Sequence, residues 1–232
     1  MMSEVHDTYA GAYDWLLRNA PRLAMQAEIG EFEEFPQTGQ LVEDSEDPPS
    51  RWVVGTDAIG RPDGRFYRVV NVVTKVGSGR EVTAWESPMV VDEGGYILLI
   101  VDNESGDVLV RAKAEPGNMG VVLKDGSQSR VLLSPPFQAS MANMNAHGSR
   151  VPLIVIVRGF KEWELASEDG GRFFEKENQY GLMVTDRELI DHATARSSNP
   201  DDFIWVSRET LREARRRKLL NGHLRSAMSL LA

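Results

Sequence analysis

Cysteine is absent from the chain, which excludes disulfides, thiolate nucleophiles and cysteine-based zinc sites together. Long apolar runs are missing too: the longest, Tyr96 to Val101 and Val151 to Val157, are strand-length, so no membrane span is expected. Basic side chains are outnumbered, 26 Lys and Arg against 35 Asp and Glu, and the formal charge of −9 excludes a general nucleic-acid binder. An anionic ligand would need a local basic pocket. No dinucleotide fingerprint, no Gly-rich phosphate loop ending in Lys-Ser/Thr and no His-Glu-x-x-His pair occurs, so neither a redox nucleotide site nor a metal site is expected. The opening MMSEVHDTYAGAYDW has no basic segment followed by an apolar run, and the expectation is a soluble cytoplasmic protein.

What is present is ample core-forming material, 41% hydrophobic over 232 residues, enough for one large domain. The expected layout is a single domain over 1–232, with N-terminal helices in 1–30, an acidic connection in 31–50, a β-rich core in 51–206 and C-terminal helices in 207–232. Asp7 or Thr8 is the N-cap candidate for a helix reaching Asn19, and Pro21 is expected to start a second short helical piece. Strands are expected at Trp52–Val54, Phe66–Val76, Glu81–Trp85, Tyr96–Val101, Val108–Ala114, Val121–Lys124, Val131–Ser134, Pro152–Val157 and Tyr180–Val184, with Gly-rich turns between or beside them. Ser207 is an N-cap for a helix closed by Asn221-Gly222, and a last helix follows from Leu224 to Leu231. Helix, many strands, helix reads as an α+β fold with a mostly antiparallel sheet.

The chain is organised around Asp107 to Gly148. Its first strand breaks at Glu115-Pro116-Gly117-Asn118, where Pro116 fixes φ and Gly117 and Asn118 are the residues that most easily take φ > 0. A polar group follows: Ser134, Gln138, Asn143, Asn145 and His147. By itself this is either a polar turn or one side of a site.

Several blocks resemble, in order, the NDP-hexose 2,3-dehydratases of deoxysugar biosynthesis. They are Arg80–Met89 (REVTAWESPM), Arg111–Asn118 (RAKAEPGN), Leu133–Ser140 (LSPPFQAS), Ser167–Asn178 (SEDGGRFFEKEN), Phe203–Val206 with Leu211, and Asn221–Ser226. The resemblance implies a Nudix-like α+β fold and a nucleotide-linked (dTDP- or UDP-) 4-keto-6-deoxyhexose that loses its C2 hydroxyl. Nudix hydrolysis is not expected, because no Gly-x5-Glu-x7-Arg-Glu-x-x-Glu-Glu run is present to hold magnesium. Family members are about twice as long, with two modules in one chain, so a one-module chain is expected to pair as a homodimer. Lys124 to Arg130 looks like an inserted hairpin tip, and Asn143-Met144 stands where the family tends to have Asn-Tyr.

Dehydration beside a C4 ketone needs a base for the C3 proton, a partner for the enolate oxygen and an acid for the departing hydroxyl. The ketone is the electron sink, so no cofactor is required. Glu115 is the candidate base or acid, with burial expected to raise its pKa, or else an acceptor for its own turn. Lys113, on the same strand face, would stabilise an enolate or a phosphate, or simply pair with Glu115. His147 is the candidate proton shuttle, or a loop histidine; His6, His192 and His223 lie in helical or terminal contexts. Asn118, Gln138 and Asn143 are candidates for sugar or base contacts, and Arg172, Lys176 and Arg225 for the diphosphate. Trp85 or Phe173 would stack on the base, Trp85 alternatively being core.

Overall fold

The computed structural model describes residues 5–25, 53–61, 64, 67–77, 81–140, 160–195 and 199–231. The expected strand Pro152–Val157, the acidic connection 31–50, and Asn143 and His147 lie outside them.

Two sheets are formed, and the larger carries the site. Its strands run in the order β1 (Val5–His6), β12 (Phe203–Val206), β7 (Val108–Ala114), β6 (Gly95–Asp102), β11 (Glu177–Thr185) and β10 (Phe160–Ser167). Among the described strands of this sheet, β1 with β12 and β6 with β11 pair in parallel and the others antiparallel. The fold is therefore α+β with a mixed, mostly antiparallel sheet, as expected. A smaller antiparallel meander holds β2 (Val53–Val54), β3 (Ala58–Gly60), β4 (Arg68–Lys75) and β5 (Ala84–Val91). It is tied to the larger sheet's connections where Val90 N–H donates to the Arg172 carbonyl, 2.7 Å, and Phe174 N–H to the Val90 carbonyl, 2.9 Å.

The central strands β6 and β7 pair only at Ile100↔Leu109 and Val101↔Val108 and then part. Their freed edges are taken over by a V: β8 (Val131–Ser134) pairs with β7 from Arg111 to Ala114, and β9 (Phe137–Ser140) pairs with β6 from Gly95 to Leu98. Pro135-Pro136, which could not donate to a ladder, lies at the point of the V.

Period-two alternation sends the two sides of each strand into different cores. Ile97, Leu99, Val101, Val108, Val110 and Ile204 pack under α1 (Tyr9–Leu23), α3 (Arg208–Arg216) and α4 (Gly222–Ala227), against Trp15, Leu16, Leu211 and Leu224. Leu98, Ile100, Leu109, Met183 and Trp205 pack on the other face with Ile190 of α2 (Arg187–Thr194). Trp205 Nε1 donates to Asp191 Oδ1 of α2 at 2.9 Å, and the Arg187 guanidinium lies over the Trp205 ring while pairing with Asp107 at 2.6 Å.

Several boundaries differ from expectation. Thr8 is the N-cap of α1, but Pro21 lies inside one continuous helix rather than starting a second. Pro21 sits in the last turn, where its clash with the preceding turn ends the helix at Leu23 without interrupting it earlier. β5 continues through Pro88 to Val91, which an outer strand tolerates because no donor is needed on its open side. Val121–Lys124 is not a strand; only an isolated bridge, Val122↔Gln128, closes the small Lys124–Arg130 tip around Gly126, φ 85°. Helix α3 ends at Arg216, and Asn221, instead of closing it, caps the start of α4 by accepting from Leu224 N–H at 2.9 Å. Strands β1, β3, β9, β10 and β12 and helix α2 are additions.

Truncating Leu16, fully buried between α1 and the sheet, to alanine is expected to cost about 2–5 kcal/mol. Leu189→Ala, on the exposed side of α2, should stay within about 0.5 kcal/mol. Urea unfolding midpoints at unchanged slope measure both.

Candidate functional site

Strand β7 delivers Lys113 and Glu115 to the open end of the V. Lys113 Nζ donates to Glu115 Oε1 at 2.9 Å, Asn221 Nδ2 donates to Glu115 Oε2 at 3.1 Å, and Asn118 Nδ2 reaches the same oxygen at 3.4 Å. Asn221 Nδ2 also lies 3.2 Å from the buried Ser134 hydroxyl. Asn221 can do this because residues 219–221 run alongside β8: Leu133 N–H donates to the Leu219 carbonyl and Asn221 N–H to the Leu133 carbonyl, each at 2.9 Å.

The turn after Glu115 closes with Asn118 N–H on the Glu115 carbonyl, 3.0 Å, and neither Gly117 nor Asn118 takes the left-handed conformation; Gly120 does, with φ 68°. Arg130, at the base of the Lys124–Arg130 tip, clamps the turn by donating from Nη1 to the carbonyls of Pro116, 2.9 Å, and Asn118, 3.1 Å. The tip is thus a buttress for the carboxylate.

Helix α4 adds a histidine that the sequence reading passed over. His223 is half-buried, with Nδ1 3.4 Å from the hydroxyl of the buried Tyr180 on β11. Glu168, which accepts from Asn178 Nδ2, lies within electrostatic reach of both His223 and Tyr180. The signal was present as Asn221-x-His223: a cap residue fixes the first helical turn, so a side chain two positions on has a set direction. Asn178 and Tyr180, two apart on one strand, were the matching signal on β11.

Lys113, Glu115 and Asn118 come together at the end of β7. The other candidates are placed as follows. Lys176 pairs with Asp92 at 2.8 Å and lies over the Phe173 ring, 4.5 Å from its centroid. Arg172 is on the open surface beside Asp169, and Arg225 is exposed on α4. Trp85 is half-buried on β5 of the smaller sheet. Gln138 is half-buried opposite Ile97, its Oε1 buried without a partner among the described residues.

The expectation that burial raises the Glu115 pKa is reversed. Desolvation does push it up, but the Lys113 charge, hydrogen bonds from Lys113 and Asn221, and His223 together hold it below the ordinary carboxylate value. At His223 desolvation is the largest influence and lowers the pKa; Glu168 and Glu115 raise it, Lys176 and Lys113 lower it, and the balance falls below 6.5. Near neutral pH the site therefore holds an ionised carboxylate and a neutral imidazole.

Both groups bind protons less readily folded than unfolded, so each stabilises the native state above its unfolded pKa and loses that contribution as pH falls through its folded pKa. His223 governs the window below 6.5 and Glu115 the more acidic one. Melting temperature should fall between about pH 7 and pH 5, and the fall should be shallower in His223→Gln. A pH series of thermal melts on the two proteins measures this.

Comparison with known proteins falls on this same region. A family model described as NDP-hexose 2,3-dehydratase matches residues 47–231. A dTDP-4-dehydro-6-deoxy-alpha-D-glucopyranose 2,3-dehydratase of Streptomyces violaceoruber is 29% identical over 161 residues, 66% of this chain and 32% of the relative. Proteins of the same name from Saccharopolyspora spinosa, 29% over 192 residues, and Amycolatopsis orientalis, 29% over 167 residues, are covered to 78% and 67% of this chain. The chain covers 36% and 31% of those two relatives, so about a third of each of the three is represented. The family match takes in every strand from β2 to β12 and all the residues gathered around Glu115; the chain belongs to the NDP-hexose 2,3-dehydratase family.

Proposed function

We propose that this chain carries out 2,3-dehydration of a nucleotide-linked 4-keto-6-deoxyhexose, of the dTDP type named for its relatives. The observation that carries the reading is the Lys113–Glu115 pair, 2.9 Å apart at the end of β7 and fixed by Asn221 and Asn118. A C4 ketone acidifies the C3 proton, and the negative charge that develops on O4 needs a preorganised cation or donor. Lys113 supplies the cation and Asn118 an amide. Glu115, its oxygens shared among three donors, acts as a fixed anion beside the reacting ring. Removal of the C3 proton gives the enolate; reforming the ketone drives out the C2 hydroxyl and leaves a C2=C3 enol, which tautomerises to a 3,4-diketone.

The exposed guanidinium groups of Arg172 and Arg225 are the diphosphate candidates, with Lys176 partly neutralised by Asp92. Phe173, or Trp85 from the smaller sheet, would take the base, and Gln138 a sugar or base edge; Asn143, the further sugar or base candidate, and His147, the proton-shuttle candidate, lie outside the described residues. The resemblance also supports a Nudix-like description of the sheet and a cytoplasmic setting; among the described residues no helix is long and apolar enough to cross a membrane. The resemblance to a family expected to carry two such modules supports two further ideas: that the chain pairs two-fold with itself, and that it serves as a sugar-nucleotide-binding module beside a catalytic partner.

Incubation with dTDP-4-keto-6-deoxyglucose is expected to give a product lighter by one water in mass spectrometry, and Lys113→Ala should lower kcat by about 100- to 1,000-fold. Binding without any loss of water would select the module reading. In light scattering a homodimer should weigh twice the 25.9 kDa chain; a monomer at micromolar concentration removes the pairing.

A further inference from the structure

We propose that His223 of α4, not Glu115, takes the C3 proton, with Tyr180 and Glu115 as the residues that position and charge-balance its ring. The inference rests on the dehydration reading above. Three features of the structure lead to it. The two oxygens of Glu115 already accept from Lys113, Asn221 and Asn118, which stabilise the ionised form and make it a poor proton acceptor. Asn221 joins the two groups mechanically: its side chain holds Glu115 Oε2 through Nδ2 and caps α4 through Oδ1, so one residue fixes the carboxylate and the helix turn bearing the imidazole. On the far side of the ring, Nδ1 is 3.4 Å from the Tyr180 hydroxyl.

In the tautomer in which Nδ1–H donates to the Tyr180 oxygen, Nε2 carries the lone pair and is the basic atom. The groups that face the ring are Glu115 and Lys113 from β7, Glu168 from the end of β10, and Lys176 and Tyr180 from β11 and its approach. Lys113 pairs with Glu115 and Lys176 with Asp92, so the added charge of an imidazolium is offset by Glu168 together with the Glu115 carboxylate.

The step balances on one residue. Nε2 takes the C3 proton, and the C3–H electron pair becomes the enolate whose oxygen faces Lys113. When the enolate collapses, C4=O re-forms, C2=C3 forms and the C2–O bond breaks. The departing oxygen takes the proton from the imidazolium and leaves as water, and His223 is neutral again. In a gluco-configured ring the C3 hydrogen and the C2 hydroxyl lie on the same face, so one imidazole serves both ends of the elimination.

The test uses the full chain with dTDP-4-keto-6-deoxyglucose. His223→Gln and His223→Asn are expected to lose kcat by about 100- to 10,000-fold with KM within a few-fold, their circular dichroism and melting temperature showing a retained fold. Tyr180→Phe should lose less, and should displace the acid limb of the kcat–pH profile. Separately, the His223 imidazole followed by NMR should titrate below the ordinary histidine value and move lower still in Glu115→Gln, as a lost neighbouring anion requires. Retention of kcat within about three-fold in both folded His223 variants overturns the assignment, as does an imidazole titration indifferent to Glu115→Gln. If the unaltered chain eliminates no water, the dehydration reading falls and the proton-transfer role with it; the NMR arm then still decides whether the Glu115–His223 coupling exists.

Discussion

Backbone hydrogen bonding is the constraint on which this molecule depends. Once β6 and β7 part beyond Ile100 and Leu109, each leaves a row of donors and acceptors that cannot be left buried and unpaired. The β8–β9 V answers that need, and the stretch Leu219–Asn221 in turn satisfies part of the outer edge of β8. Solving the edge problem this way makes a splayed, open end where side chains from β7, β11 and α4 can approach one another. The site is a by-product of the pairing solution.

Within that opening, electrostatics rather than burial set the character of the groups. Glu115 is only about a quarter exposed, 27% of its side chain, yet remains a strong anion because three donors meet it. His223 shares the opening but has no comparably close ion pair among the described residues, so desolvation dominates and the ring is neutral near neutral pH. Two titratable groups in one pocket are thus driven to opposite uses, one as standing charge and one as proton carrier.

How much of this was legible depended on whether local pattern decided the outcome. Val108–Ala114 was read to the residue because its alternation ends at a Pro-Gly turn, and Val131–Ser134 because a short apolar run there stops at Pro135. Ser207 was read as a cap, and the other cap was narrowed to Asp7 or Thr8, because an N-cap is a local hydrogen bond; Thr8 takes it. Strand β9 was missed because Phe137-Gln138-Ala139-Ser140 alternates over only four residues directly after Pro135-Pro136 and forms on the free edge of β6, a long-range partner. Helix α2 carries a single buried residue, Ile190, and is held chiefly by long-range partners, Trp205 and Asp107, invisible to a window along the chain. At the site, Lys113, Glu115 and Asn118 were found through one contiguous block; His223 was overlooked because its partners are more than forty positions away, Tyr180 lying 43 residues earlier.

The Arg130 clamp has a consequence for how the region moves. Glu115 N–H bonds the Arg130 carbonyl while the Arg130 guanidinium grips Pro116 and Asn118, so the turn and the Lys124–Arg130 tip share three bonds across a gap of about a dozen residues. Neither can breathe alone. Solvent exchange at the Glu115 amide is therefore gated by opening of the tip as a cooperative unit, and the jitter of the carboxylate is set by a loop that never touches it.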